Sequence, residues 1–249
     1  MEKITMNTID EDLLSVQEAR ILAENARDAQ KVLAAFPQEK LDSIVESIAG
    51  QVEQHAAELA KMSCEETDYG IWQDKYIKNR FVCIRLRSQL RKMRCVGIIR
   101  EDAGHKTMDV GVPLGVLIAL CPATSPVSTA VYTAMIAIKS GNAVVFSPHP
   151  RARESIAHTL DIMIVAAEQA GLPEGALSYL HTVTAAGTKE LFMHPAVSLI
   201  LDTGVPGVLP AAYSSGKPVI YGGNGGGPAF IERTADIPRA TADILISKT

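Results

Sequence analysis

The sequence predicts an α/β protein in which a parallel sheet carries helices on both faces, preceded by N-terminal helices and a β-hairpin. Three observations predict this fold class. Apolar runs alternate with helical patterns from Gly115 onward, residues 10–95 show helical periodicity, and two short alternating runs flank "EDAGHK" (101–106). Continuous apolar strands that alternate with helices are typical of a parallel sheet buried on both faces.

The N-terminal third of the chain is predicted to form three helices. The first has apolar residues at helical spacing, with Ser15 as the expected N-cap and Glu18 at the third position of a capping box. The second pattern covers residues 37–63 and the third roughly 71–94. The basic run "IRLRSQLRKMR" within the third has apolar residues between its charges. We therefore expect a helix with a solvated basic face rather than a nucleic-acid patch.

Beyond the hairpin, five short apolar runs are expected to be strands, the first four of them each followed by a helical pattern. They lie at 115–122, 142–148, 177–183, 196–204 and 217–223. A further helix is expected to begin within 235–249. Parallel sheets of this kind bind ligands beyond the carboxyl ends of their strands. The loops at those ends are therefore the candidate ligand-binding segments.

Composition restricts the classes of partner. The chain has 249 residues, 47% of them hydrophobic and 21% charged, and a net charge of −4, so neither nucleic acid nor another polyanion is an expected partner. The N-terminus lacks the apolar stretch of a signal peptide, and no apolar run reaches the length of a membrane span. The cysteines have no metal-ligand spacing, which favours free thiols and a cytoplasmic location; they are Cys64, Cys83, Cys95 and Cys121.

The stretch "VIYGGNGGGPAF" (219–230) holds five glycines after a short apolar run. It matches neither common phosphate-binding motif. Read as G-x-G-x-x-G from Gly223, it has Pro228 at the last glycine, and read as a P-loop from Gly222, it has the same proline in place of lysine. A flexible turn and a close approach of the backbone to a ligand both remain open for this stretch.

Two other strand ends suit a dinucleotide better. "VVFSPHPRARES" (144–155) offers a hydroxyl, an imidazole and the start of a helix with Arg151 and Arg153, which suit a ribose or a phosphate. The alternative is that its prolines only end the strand and its arginines are solvated. "LDTGVPGVL" (201–209) has glycines that would let the backbone approach a pyrophosphate, or that would serve tight helix–strand packing.

The first strand ends in "LCPATSPVSTA" (120–130), which contains several hydroxyl groups. They could donate hydrogen bonds to a reacting oxygen. The alternative is a capped helix start, with Ser125 as the N-cap and Pro126 as the first helical residue. We expect Cys121 to be structural, because nothing near it in sequence supplies a base or lowers its pKa.

Two long segments carry a resemblance to a known family. "PATSPVSTAVYTAMIAIKSGNAVVFSPHPRARES" and "TGVPGVLPAAYSSGKPVIYGGNGGGPAFIERTADIPRATADILISKT" resemble the coenzyme-A-acylating branch of the aldehyde dehydrogenase superfamily. Members include the aldehyde half of bifunctional aldehyde–alcohol dehydrogenases and the acylating enzymes of bacterial microcompartments. The resemblance implies a Rossmann-like NAD-binding core at 115–249, with its helical part at 1–95 and an oligomerisation hairpin at 96–114. It also implies a homo-oligomer in the cytoplasm or in a microcompartment.

The family reaction converts an aldehyde, CoA and NAD⁺ into acyl-CoA and NADH through a cysteine thioester. The resemblance implies which residues serve it here. Those expected to bind the cofactor are Thr124, Ser147, Pro148, His149, Thr203, Gly204, Gly207, Gly222 and Gly223. Ser147 to His149 would contact the adenosine ribose and Thr203 to Gly207 the pyrophosphate. The glycine-rich stretch at 219–230 would form a wall near the nicotinamide.

The sequence departs from the family pattern at two points. The family commonly has "TNP" where this chain has "TSP", so Ser125 becomes the candidate oxyanion donor. The nucleophilic cysteine would follow "SKT", where this chain ends, so we expect the catalytic domain to be absent and the chain alone to be inactive. "GGNGGG" has no carboxylate where non-acylating relatives place a general base, which favours CoA as the acyl acceptor. The alternatives are a nucleotide-binding or scaffold module without chemistry and a non-acylating dehydrogenase.

Overall fold

Five parallel strands form the central sheet of this computed structural model, which describes residues 10–223 and 225–248. Residues 1–9, Asn224 and Thr249 lie outside the described residues. Asn224 belongs to the predicted glycine wall, so that part of the prediction lies outside them too. The strands are β3 (Val116–Leu120), β4 (Ala143–Ser147), β5 (Leu177–Tyr179), β6 (Val197–Asp202) and β7 (Val219–Tyr221), in the order β5-β4-β3-β6-β7. Every residue of β3 and β4 is buried, as their unbroken apolar runs predict. The predicted parallel sheet is confirmed.

Helices cover the sheet in two groups. The helices that follow the strands and pack in these groups are α6 (Pro126–Lys139), α7 (Arg153–Gln169), α8 (Ala185–Met193) and α9 (Leu209–Ser214). A last helix, α10 (Ile237–Lys248), is almost entirely exposed. In one group α1 (Glu11–Leu33) packs against α8, and in the other α2 (Gln38–Gln54) packs against α6 and α7. The core between these layers is apolar and fully buried. The expected helices on both faces are therefore present.

The start of α1 corrects one prediction. The N-cap is Asp10, whose carboxylate accepts hydrogen bonds from the Asp12 and Leu13 N–H groups at 3.0 and 3.1 Å. The predicted capping box of Ser15 and Glu18 is wrong, because both residues lie inside the helix and serve a distant loop. The Glu18 carboxylate accepts from the N–H groups of His181 and Thr182 at 2.7 and 2.9 Å.

The other N-terminal helices are more broken than predicted. The pattern at 37–63 gives two helices, α2 and α3 (Ala56–Thr67), which meet at His55. The predicted third helix comprises α4 (Trp72–Arg80), a π-helical turn (Phe81–Leu86) and α5 (Arg87–Leu90). The sequence predicted one continuous helix here because its apolar and basic residues are spaced as in a helix with one solvated face. A π-helical turn adds one residue to a helical turn and rotates that face, and the periodicity of the sequence does not show this insertion.

The predicted hairpin is confirmed as β1 (Gly97–Asp102) paired antiparallel with β2 (Thr107–Gly111). Two amide side chains hold its base. The Gln38 Oε1 accepts from the N–H groups of Cys95 and Val96 at 2.6 and 3.1 Å. The Asn142 Oδ1 accepts from the N–H groups of Leu114 and Gly115 at 2.6 and 2.9 Å. Both ends of the hairpin are thus fixed to the body of the protein.

The anchoring of the hairpin can be tested at Gln38. Gln38→Ala leaves two N–H groups of the 95–96 segment without an acceptor, so we expect it to lower the free energy of unfolding by about 2 to 4 kcal/mol. Chemical denaturation measures this loss. The matched control is Gln54→Ala, at the exposed end of the same helix, which should change stability by less than about 0.5 kcal/mol. Equal losses in both variants would contradict the anchoring role.

Candidate functional site

Two adjacent cavities open at the carboxyl edge of the sheet. One, of ≈ 360 Å³, lies between the ends of β3 and β4 and the start of α8; the other, of ≈ 590 Å³, lies between the loop after β3 and the loops after β6 and β7. They share His149, Val205 and Gly207 as lining residues. Loops that are far apart in sequence meet here because parallel strands release the chain at the same edge.

The structure brings all of the predicted site residues together around these cavities. The smaller cavity is lined by Ser147 and Pro148, and the larger by Thr124, Ser125, Thr203, Gly204, Gly222 and Gly223, while His149 and Gly207 line both. Their shared location fits one extended ligand. Which part of that ligand each residue contacts stays a prediction.

His149 lines both cavities and has a defined tautomer. Its Nδ1 accepts a hydrogen bond from the Arg151 N–H at 3.1 Å, so in the neutral ring the proton is on Nε2. Burial lowers the pKa of His149, and the nearby charge of Arg151 lowers it further. The imidazole is therefore neutral at physiological pH and offers its Nε2–H as a hydrogen-bond donor.

Sequence reasoning missed the residues that line the smaller cavity from α8. Thr184 is the N-cap of α8, and its hydroxyl accepts from the Gly187 N–H at 3.2 Å. The Thr188 hydroxyl pairs with that of Ser147 at 2.8 Å, which joins α8 to the end of β4. Lys189 also lines the cavity and is exposed. The signal that could have found them is the "VTAAGTK" segment that follows the third predicted strand.

The start of α7 is already occupied by a carboxylate. Glu66, on α3, accepts hydrogen bonds from the N–H groups of Glu154 and Ser155 at 2.7 and 2.8 Å and from the Ser155 hydroxyl. The Arg151 guanidinium donates to the Thr67 carbonyl at 3.2 Å. Of the two ligands suggested for this segment, a phosphate at the helix start is disfavoured, because Glu66 already accepts from its N–H groups. A ribose at this segment stays a prediction.

The loop after β6 brings its backbone close to the glycine-rich segment. Gly204 has a φ of +78°, and a Cβ at this position would lie 3.3 Å from the Gly223 carbonyl oxygen. The Gly222 N–H donates to the Asp202 carbonyl at 2.9 Å, which places the two segments side by side. A side chain at Gly204 would be strained and would also crowd this junction.

Asp202 is a buried carboxyl group beneath that loop. Its Oδ1 accepts from the Val205 N–H at 2.8 Å and so shapes the turn, while its Oδ2 is buried and has no hydrogen-bond partner among the described residues. Burial raises the pKa of Asp202, and the bond from Val205 opposes this only partly. The sequence pattern gave no signal for this role.

The loop after β3 bears the candidate oxyanion donor. Ser125 precedes Pro126, the first residue of α6, as predicted, but its side chain makes no capping hydrogen bond to the helix. Its hydroxyl instead lies 3.3 Å from that of Thr129. The predicted position at the helix start is confirmed, and the hydroxyl remains available at the cavity wall.

Three of the four cysteine thiols, those of Cys64, Cys83 and Cys121, have raised pKa values. Cys121 is buried at the end of β3, and burial raises the pKa of its thiol, as it also does for Cys64. Burial raises the pKa of Cys83 to about 12. This supports the prediction that Cys121 is structural. Within the described ranges no group of three or more His, Cys, Asp or Glu side chains could hold a metal ion.

The fold is that of an α/β protein with two cavities at the carboxyl edge of its parallel sheet, the edge at which such folds place their ligands. A model of the aldehyde dehydrogenase family matches residues 9–249, and the chain belongs to that family. It is 38% identical to the bifunctional aldehyde-alcohol dehydrogenase of Escherichia coli over 235 residues, which cover 94% of this chain and 26% of the relative. No helix within 10–223 and 225–248 combines the length and apolar character needed to cross a bilayer.

Solved structures resemble this chain over nearly its whole length. A probable aldehyde dehydrogenase from Listeria monocytogenes is 48% identical with a TM-score of 0.88, and the match covers 96% of this chain and 52% of the other. An acetylating aldehyde dehydrogenase from Geobacillus thermoglucosidasius is 41% identical with a TM-score of 0.86, with 97% and 54% covered. Another is a propionaldehyde dehydrogenase from Rhodopseudomonas palustris with bound CoA and an acylated cysteine, 27% identical with a TM-score of 0.74, with 91% and 52% covered. The chain spans about half the length of these structures.

Proposed function

We propose that this chain is the NAD-binding part of a CoA-acylating aldehyde dehydrogenase. The observation that carries the proposal is the meeting of all predicted cofactor-binding residues at two adjoining cavities on one edge of the sheet. The similarity to an acetylating dehydrogenase and to an enzyme with bound CoA supports the acylating branch. The reaction would convert a short aldehyde, NAD⁺ and CoA into acyl-CoA and NADH.

The residues present fit a dinucleotide. The smaller cavity has mainly apolar walls, with the hydroxyls of Ser147 and Thr184 and the Nε2–H of His149 at its edge, which suits an adenosine. The open backbone at Gly204 and Gly207 suits the pyrophosphate, and Gly222 would lie toward the nicotinamide. When bound, NAD⁺ supplies a hydride acceptor. The protein's part is to bind it and orient it at this edge.

We propose CoA rather than water as the acyl acceptor, and the walls of the larger cavity support this choice. Among the described residues that line it there is no aspartate or glutamate, and its charged or titratable side chains include Arg151 and His149. A thioester is hydrolysed efficiently when a base activates water. Without such a base, the favoured acyl acceptor is CoA, because its thiol is a better nucleophile than water.

We further propose the division of the chain that the resemblance implies. Residues 1–95 would form the helical part of the NAD-binding domain, 96–114 an oligomerisation arm and 115–249 the nucleotide-binding core. The nucleophilic cysteine and the rest of the substrate site would belong to a catalytic domain outside this chain. Residence in a bacterial microcompartment stays a prediction.

The hairpin has the surface of an assembly element. Its exposed large apolar side chains include Ile98, Ile99, Met108 and Val110. A two-stranded ribbon has unpaired edges, and apolar side chains beside such an edge favour pairing with another chain. We therefore propose that the hairpin contacts a second copy of the protein in a homo-oligomer.

The proposed reaction is tested by an assay of the full product of the gene. We expect NAD⁺ reduction by acetaldehyde or propionaldehyde to require CoA and to yield acyl-CoA, because the site has no base to activate water. Absorbance of NADH and chromatography of the acyl product measure both. Release of free acid at the same rate without CoA would contradict the acylating assignment.

Cofactor placement is tested at Gly204. Gly204→Val should weaken NAD⁺ binding by about ten-fold or more, because a branched side chain blocks the approach to the pyrophosphate. Calorimetric titration measures the affinity. Gly216→Val is the matched control, since Gly216 has a similar φ of +73° but lies outside both cavities. Equal affinities in the two variants would count against the placement.

The assembly role of the hairpin is tested with a charge. Val110→Lys should shift the full gene product toward monomer in light scattering, because it buries an ammonium group at the proposed contact. Leu13→Lys, at another exposed apolar site, on α1, should leave the mass unchanged. A monodisperse monomer before any substitution would refute the proposal.

A further inference from the structure

Lys75 is a buried lysine without a carboxylate partner among the described residues. It lies on α4 with 8% of its surface exposed. The other buried lysine of the core, Lys139, forms an ion pair with Asp42 at 2.6 Å. Lys75 instead donates one hydrogen bond, from Nζ to the Thr124 carbonyl oxygen at 2.8 Å. Burying an ammonium group costs desolvation free energy, and one hydrogen bond to a carbonyl oxygen offsets that cost only in part. The position of this charge therefore calls for an explanation.

The bond from Lys75 fixes the direction of one peptide group. In a trans peptide the C=O and the following N–H point in opposite directions, and the described residues contain no cis peptide bond. The Thr124 carbonyl points toward Lys75, so the Ser125 N–H points away from it. No hydrogen bond joins this N–H to another described residue.

The two sides of the loop face different surroundings. Lys75 lines a small space behind the loop, together with Asn79, Ser125 and the start of α6. The larger cavity lies in front of the loop and is lined by Thr124 and Ser125 but not by Lys75. Ser125 borders both spaces, whereas Thr124 borders only the larger cavity. A Ser125 N–H that points away from Lys75 is on the side of that cavity, where the proposed substrate and cofactor bind.

We propose that Lys75 is a positioning residue that holds the 124–125 peptide so that the Ser125 N–H faces the cavity as a donor to a negatively charged oxygen. This inference rests on the proposed function. When a thiolate adds to an aldehyde, the electron pair of the C=O bond moves to the oxygen, and a fixed N–H at that position stabilises the charge. The Ser125 backbone thus supplies a donor in addition to its hydroxyl. The positive charge of Lys75 also polarises this peptide in the favourable direction.

The inference is tested by kinetics of the full gene product with aldehyde, NAD⁺ and CoA. Lys75→Met keeps the length of the side chain and removes the donor, so we expect kcat to fall by about ten-fold or more while NAD⁺ affinity stays within about two-fold. Lys75→Arg keeps a cationic donor and should retain more of kcat. Lys78→Met is the matched control, because Lys78 borders the same small space but is exposed, and it should leave kcat unchanged.

The outcomes separate this inference from the proposed function. An unchanged kcat in Lys75→Met overturns the positioning role. A parallel loss of kcat, NAD⁺ affinity and melting temperature also overturns it, because it indicates a purely structural lysine. If the unaltered protein shows no CoA-dependent oxidation of short aldehydes, the proposed function fails first, and the assignment of a reacting oxygen to the Ser125 N–H is withdrawn with it.

Discussion

The pairing of β3 with β6 is the constraint on which the rest of the site depends. After β3 the chain adds β4 and β5 on one side, then returns to place β6 on the other side of β3. At this switch point the loops after β3 and β6 leave in opposite directions and open a crevice. The register puts Leu120 beside Asp202, and the Thr203 N–H donates to the Leu120 carbonyl at 3.3 Å. Both cavities lie along this crevice, so their position follows from the order of the strands.

The N-terminal helices act on this edge through side chains that bind distant backbone groups. Glu18 holds the segment after β5, Glu66 holds the start of α7, and Lys75 holds the loop after β3. Each side chain satisfies loop groups that would otherwise be desolvated without partners. The loops of the site are thus shaped by a layer of helices that does not itself form most of the cavity walls. This gives a physical reason for the large helical extension that precedes the sheet.

The sheet was predictable because each strand is marked by its own short, continuous apolar run in the sequence. A run such as "NAVVFSP" is apolar throughout, so its burial, its direction and its neighbouring loop follow from composition and order. The grouping of the site residues followed as well, since all of them stand at strand ends. The helix cap was not predictable, because Ser15 fits a local rule while its actual partner is 167 residues away. Glu66 and Lys75 were missed for the same reason: their sequence neighbours say nothing about the loops they contact.

The electrostatics of the edge are consistent with an anionic ligand. The described residues that line the cavities include no carboxylate, and the basic side chains among them are Lys189 and Arg151 together with neutral His149. The nearest carboxyl group on the β6 loop, Asp202, is buried beneath the turn, and its raised pKa favours the uncharged form. A pyrophosphate near Gly204 would favour that form further, since two like charges in a poorly solvated site repel each other. Asp202 thus shapes the turn through its hydrogen bond from the Val205 N–H. In its uncharged form it repels an anionic ligand less than an exposed carboxylate would.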